Sequence, residues 1–172
     1  MPKESTNETP DEFGVRDKRP VGRLLALDLG EKRVGVAVSD ELQLTVRPLP
    51  FLRRTNWKQL LGAVAELLQR FDARALVIGL PLKLEGTEGE AASHARRLAR
   101  NFALSLHVPV FLQDERLTSR AAEEALRAEG HRDESLRERV DSEAAAIILR
   151  DYLAEPAEER DAGQLARPRQ ES

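Results

Sequence analysis

The sequence predicts an α/β fold on a mixed five-stranded sheet, three antiparallel strands followed by parallel ones, with helices on both faces. Three observations lead there. Apolar runs separated by turn-length gaps crowd the start of the core, and helix and strand periodicities alternate after it. A chain of 172 residues, 41% of them hydrophobic, has material for one core rather than two.

Each element follows from its local pattern. Leu24-Leu25-Ala26-Leu27-Asp28-Leu29 is apolar on both alternating faces until Gly30, the pattern of a central strand. Val34 to Val38 resumes after a short gap, which predicts a hairpin. A third strand around Leu44 to Leu52 carries Pro48 and Pro50, whose missing N–H groups confine it to an edge. Thr55 or Asn56 caps a helix with Leu60, Leu61, Val64, Leu67 and Leu68 on one face. Arg74 to Ile78 is a strand, and Thr87 with Glu90 makes a capping box for a helix ending near Ser105. Val108 to Gln113 is the fifth strand. Two helices follow, roughly Ser119 to Glu129 and Glu134 to Leu153, divided at Gly130-His131-Arg132. Residues 1–22 and 154–172 lack periodicity and are expected to be a disordered arm and tail around a single domain, 23–153.

Composition excludes several functions. With no Cys there is no disulfide framework, thiolate zinc site or cysteine nucleophile. No run approaches the apolar length of a membrane helix. The first 22 residues have neither the apolar core of a secretory signal nor the acid-poor character of a transit peptide, so a cytoplasmic location is expected. The net charge is −3, yet residues 23–153 balance at 20 charges of each sign. A neutral core that houses clustered carboxylates leaves positive surface elsewhere, which suits a polyanionic partner. Of the 27 basic residues 22 are Arg, a composition that favours bidentate phosphate contacts and that a genomic bias explains equally well.

Three acids stand where solvated acids are not expected. Asp28 ends an apolar run, where an ionised carboxylate is costly unless a cation or several donors meet it. Taken alone, it could equally bond the turn at Gly30 or pair with Lys32 or Arg33. Asp114 and Glu115 close the fifth strand and could equally offset a helix dipole ahead of Thr118-Ser119. Asp141 shares a helical stripe with Ala145, Ile148 and Tyr152, which should face the sheet, or else lies at the stripe's margin and reaches water. Glu143 points sideways toward solvent. Together the inward acids make an oxygen-ligand cluster, which selects Mg²⁺ or Mn²⁺ over zinc, and two such ions activate water for phosphodiester hydrolysis. The histidines have no matching nucleophile: His94 and His107 read as surface or helix-end residues, and His131 as a candidate for assisting proton transfer.

Four motifs in order, Asp28-Leu29-Gly30-Glu31-Lys32-Arg33-Val34-Gly35-Val36-Ala37-Val38-Ser39-Asp40, Ile78-Gly79-Leu80-Pro81-Leu82, Asp114-Glu115-Arg116-Leu117-Thr118-Ser119 and Val140-Asp141-Ser142-Glu143-Ala144-Ala145-Ala146, closely resemble the YqgF (RuvX) family across residues 23–153. Its members are described as Holliday junction resolvases and as pre-16S ribosomal RNA nucleases, with a ribonuclease H-like fold. The resemblance implies a metal-dependent endonuclease in the cytoplasm that matures the 5′ end of small-subunit ribosomal RNA or processes branched DNA. It also implies a catalytic and metal-binding cluster of Asp28, the Asp114-Glu115-Arg116 motif and Asp141. Related resolvases of the superfamily keep a glutamate at the end of the fourth strand, where this chain has Gly79. If that strand lies between the first and fifth, Asp28 and Glu115 stand on backbones about 10 Å apart. Gly79 then leaves the gap open, and the longer Glu115 spans it better than Asp114, which stays the second choice as metal ligand. Lys32, Arg33 and Arg116 follow strand ends on the same rim and are the candidates for phosphate contacts, or simply neutralise the acids. Gly86 and Gly89, ahead of a helix start, could cradle a phosphate or belong to an ordinary loop.

The partners expected are precursor ribosomal RNA or branched DNA and, because symmetric cutting of a four-way junction needs two sites, a homodimer. Two alternatives stand beside the nuclease. One is a non-catalytic nucleic-acid or ribosome-binding module of the same fold, disfavoured because three acids in register are costly without a cation. The other is an actin-like or sugar-kinase ATPase, since Asp28-x-Gly30 followed by Gly35 resembles a phosphate hairpin. Those enzymes close two lobes around ATP, and this core has residues for one.

Overall fold

The computed structural model describes residues 20–83, 85–115, 134–155 and 164–166, with backbone alone for 134–141 and 164–166. The strands are β1 (Leu24–Leu29), β2 (Arg33–Ser39), β3 (Val46–Arg53), β4 (Ala75–Leu80), β5 (Val110–Asp114) and β6 (Gln164–Ala166). The helices are α1 (Trp57–Arg70), α2 (Glu90–Ser105) and α3 (Glu134–Ala154). The sheet order is β3-β2-β1-β4-β5-β6. β1, β2 and β3 pair antiparallel, β4 pairs parallel with both β1 and β5, and β6 pairs antiparallel with β5. The expected mixed sheet is therefore present, with its fourth strand between the first and fifth.

Strand alternation divides the core in two. Leu25, Leu27, Leu76, Ile78 and Val110 face α1 and α2, where Leu60, Val64, Leu68, Ala99 and Phe102 cover them. Leu24, Ala26, Ala75, Val77 and Phe111 face the other way, against Ile148, Leu149 and Tyr152 of α3. Because β1 and β4 are covered on both sides, their side chains from Leu24 to Leu27 and from Ala75 to Ile78 are wholly buried. β3 is an edge, as Pro48 and Pro50 require.

Several local expectations change. Asn56 is the cap of α1, its side chain accepting from the Gln59 N–H at 2.9 Å. The Thr87–Glu90 capping box does not form: α2 starts at Glu90 after Gly89, with no side-chain cap bond. The Thr87 carbonyl instead accepts from the Lys83 N–H, and its hydroxyl donates to Glu85, so the turn before the helix uses the residue the cap would need. β6 pairs with β5 where the sequence suggests only an unstructured tail, because three residues, Gln-Leu-Ala, carry no readable period. Among the described residues, no helix is long and apolar enough to cross a membrane. The helix expected over Ser119–Glu129, Arg116, His131 and residues 1–19 lie outside the described residues.

Candidate functional site

At the carboxyl ends of the central strands, two turns and one alternation decide which side chains meet. The β1–β2 turn closes with the Gly30 N–H donating to the carbonyls of Arg33 (3.0 Å) and Asp28 (3.1 Å). A Cβ on residue 30 would stand 2.6 Å from the Arg33 carbonyl oxygen, so the turn requires glycine. Asp28, partly buried, pairs in register with Gly35 and follows Leu24 and Ala26 on the α3 face. In the parallel ladders Leu27 pairs with Ile78 and Gly79 with Gln113, so Asp28, Gly79 and Gln113 form one row across β1, β4 and β5.

The row continues into Glu115. Its N–H donates to the Leu80 carbonyl at 3.2 Å, extending the β4–β5 ladder past the end of β5. Two residues beyond Gln113, it shares the α3 face. Its carboxylate occupies the space a side chain at position 79 would take: a Cβ there would meet Glu115 Oε1 at 2.0 Å and Ile148 Cδ1 at 2.6 Å. The structure thus brings Glu115 over Gly79, beside the strand that carries Asp28. Asp114 alternates to the opposite face, in register with Leu80 and in line with Val110 and Leu112, which pack toward α1 and α2.

Position 141 is fixed by helix geometry rather than by contact. Ile148 and Glu155, seven residues apart, both reach the Asp28 row: Ile148 at Gly79, and Glu155 accepting from Gln113 Nε2 at 2.5 Å. Ala145 and Ala146 lie instead against Ala37 of β2. α3 therefore crosses the sheet from the β2 side toward β5. Asp141, seven residues before Ile148, falls on the same helical line about 10 Å earlier. Its side chain lies outside what is described. Among the described residues, no three Asp, Glu or His side chains gather closely enough to hold a metal ion.

Lys32 is exposed in the β1–β2 turn, and Arg33 begins β2 with its guanidinium 5.2 Å from the Phe51 ring centre. Arg116 is outside the described residues. Gly86 and Gly89 belong to the turn before α2 and to its cap.

Two groups escape sequence reasoning. Gln113 is 2% exposed, its amide bonded to Glu155, beside Asp151. Burial pushes the Asp151 carboxyl up, the Glu155 charge adds to this and Arg150 opposes it. A polar residue in a buried strand position directly before Asp114-Glu115 was the available signal. The second is Arg54. Its Nη1 donates to the Gly30 carbonyl at 2.8 Å, its backbone N–H donates to the Lys32 carbonyl at 2.9 Å, and its Nη2 meets His94 Nε2 on α2. His94 is thus not a plain surface residue; no local pattern links residues 40 apart in the chain.

A sheet of this order, with acids at the ends of β1 and β5 on either side of β4 and a helix crossing the same face, defines a ribonuclease H-like α/β protein. RuvC of T. thermophilus, solved with a Holliday junction substrate, shares the fold at a TM-score of 0.51 and 19% identity, covering 84% of this chain and 99% of that one. The chain belongs to the RuvX Holliday junction resolvase family, whose model matches residues 22–155. A Syntrophus aciditrophicus (strain SB) protein named "Putative pre-16S rRNA nuclease" is 42% identical over 138 residues, which is 80% of this chain and 92% of the relative. One of the same name from Anaeromyxobacter sp. (strain Fw109-5) is 43% identical over 131 residues, 76% and 96% respectively.

Proposed function

We propose that the protein is a nuclease that hydrolyses phosphodiester bonds of structured nucleic acid with Mg²⁺ or Mn²⁺, in 5′-end processing of precursor 16S ribosomal RNA, in resolution of Holliday junctions, or in both. Membership of the resolvase family and the names of the relatives support the nuclease class. The observation that carries the metal reading is the Glu115 carboxylate lying over Gly79, on the same face as Asp28 and one strand away. Two carboxylates on the same face of a sheet, one strand apart, repel each other unless positive charge lies with them. The donors are all oxygen, which fits a hard divalent ion.

In this reading Asp28, Glu115 and Asp141 hold the metal and are the catalytic acids. When bound, the metal supplies charge that lowers the pKa of water and stabilises the leaving oxygen. The chain's own residues do the rest. Gly79 keeps the floor of the site free of a side chain. β1 and β5, buried behind it, fix the separation of the two carboxylates. Lys32, Arg33 and Arg116 contact backbone phosphates on either side of the acids and orient the scissile bond.

The test is Asp28→Asn beside the unaltered protein, incubated with a four-way DNA junction and with a precursor 16S RNA, in Mn²⁺ and in EDTA. Metal-stimulated cleavage that the substitution abolishes, with an unchanged melting curve, supports the proposal. Undiminished cleavage by the variant refutes the assignment of Asp28. Binding that is equally tight in EDTA, with no cleavage in any metal, points to a module that binds without cutting.

A further inference from the structure

The rim has a second chemical face, on the α2 side of the β1–β2 turn. There Arg54 holds the turn by Gly30 and Lys32 and lies against His94 Nε2. A guanidinium has five donors and no acceptor. Nε2 must therefore be the accepting nitrogen, and the ring proton sits on Nδ1, on the side of the imidazole turned away from Arg54. The environment agrees: burial lowers the His94 pKa first, then the charges of Arg54 and Arg97. Arg97, three residues further along α2, is exposed and close enough to His94 to act on it. Neither Arg54 nor Arg97 has a carboxylate partner among the described residues.

We propose that Arg54, His94 and Arg97 form a backbone-phosphate subsite on the α2 side of the rim, which takes a phosphodiester of the strand that enters the Asp28–Glu115 site. This rests on the nucleic-acid reading above. An oriented Nδ1–H, the guanidinium hydrogens of Arg54 that Gly30 and His94 leave unused, and the free charge of Arg97 suit an anion with several acceptor oxygens. Gly30, to which Arg54 is tied, follows Asp28 by two residues in the same turn, so the subsite lies beside the reacting phosphate on the same strand. Arg54 also locks the turn that carries Lys32, which couples the grip on this phosphate to the shape of the rim.

The experiment is equilibrium binding of a fluorescent four-way DNA junction to the full-length protein in EDTA, across a series of KCl concentrations, for the unaltered chain, Arg97→Gln, His94→Leu and Arg70→Gln. Arg70 ends α1 ahead of the amino ends of the strands and serves as an equal change of charge away from the rim. Arg97→Gln is expected to weaken binding five- to tenfold at low salt and to lower the slope of log K against log salt by about one. His94→Leu should weaken binding by a similar factor. Arg70→Gln should keep the slope of the unaltered protein. Affinity within twofold and an unchanged slope for Arg97→Gln would overturn the subsite, as would equal losses for Arg97→Gln and Arg70→Gln. An unaltered protein that binds no junction sinks the nucleic-acid reading itself, whereas tight binding with Arg97→Gln unchanged sinks only the subsite.

Discussion

The two faces of one rim differ by a single residue step. Toward α2, the ends of β1, β4 and β5 present Leu29, Leu80 and Leu112, packed with Ala92 and Ala95. Toward α3 the same strands present Asp28, Gly79 and Gln113, and Glu115 follows. Because successive side chains alternate, a core and a carboxylate site can share three strands without sharing a residue. The apolar face holds the strands in register, and the polar face uses that register to set Glu115 over Gly79, beside the strand that carries Asp28. A one-residue slip would exchange the two.

The sharpest way to break this comparison is at the neighbouring acids. Glu115→Gln is expected to lower metal-dependent cleavage by about 10³-fold, several kcal/mol of lost transition-state stabilisation. Asp114→Asn, on the opposite face, should lower it less than tenfold; single-turnover rates that reverse this order would reject the facing. Next comes Gly79→Ala, whose methyl would fall 2.0 Å from Glu115 Oε1 and 2.6 Å from Ile148 Cδ1. Cleavage should fall about 100-fold, and the overpacked floor should cost about 1–3 kcal/mol in urea unfolding. A variant with full activity would mean that Glu115 need not lie there.

Leu80→Ala tests the other face. It removes a 5%-exposed side chain and should cost about 2 kcal/mol of stability, while cleavage per folded molecule stays near that of the unaltered protein. The smallest effect is the pH dependence of stability at His94. Its folded-state pKa lies below the ordinary 6.5, through burial and then Arg54 and Arg97, so the unfolded chain takes up the proton first. Stability should therefore fall as pH drops from 6.5 toward the folded value, and level off beneath it. His94→Gln, followed by thermal melting from pH 7.5 to 5, should flatten that slope; an unaltered slope would mean another group controls it.

Much of this architecture is legible in the chain. The apolar run through Asp28, the proline-marked edge strand and the Leu60–Val64–Leu68 stripe each become the expected element, because strand and helix periods are local properties. Gly79 is legible as a gap once the strand order is assumed, and the order observed is that one. Thr87 misleads because its capping potential is real but is drawn into the preceding turn. β6 is too short to carry a pattern. Asp141 is legible as an odd residue on an apolar stripe, and that stripe does cross the face of the sheet that carries Asp28.

The order of residues along the chain is thus enough to establish a mixed sheet, its edge and its central strands, and the acids that do not belong on a solvated surface. It is not enough to say which of two adjacent acids shares a face with Asp28, nor that Arg54 and His94 clamp the β1–β2 turn. Those facts depend on strand register and on the crossing of α2 and α3. Both arise from packing between segments far apart in the chain, where no local propensity reaches.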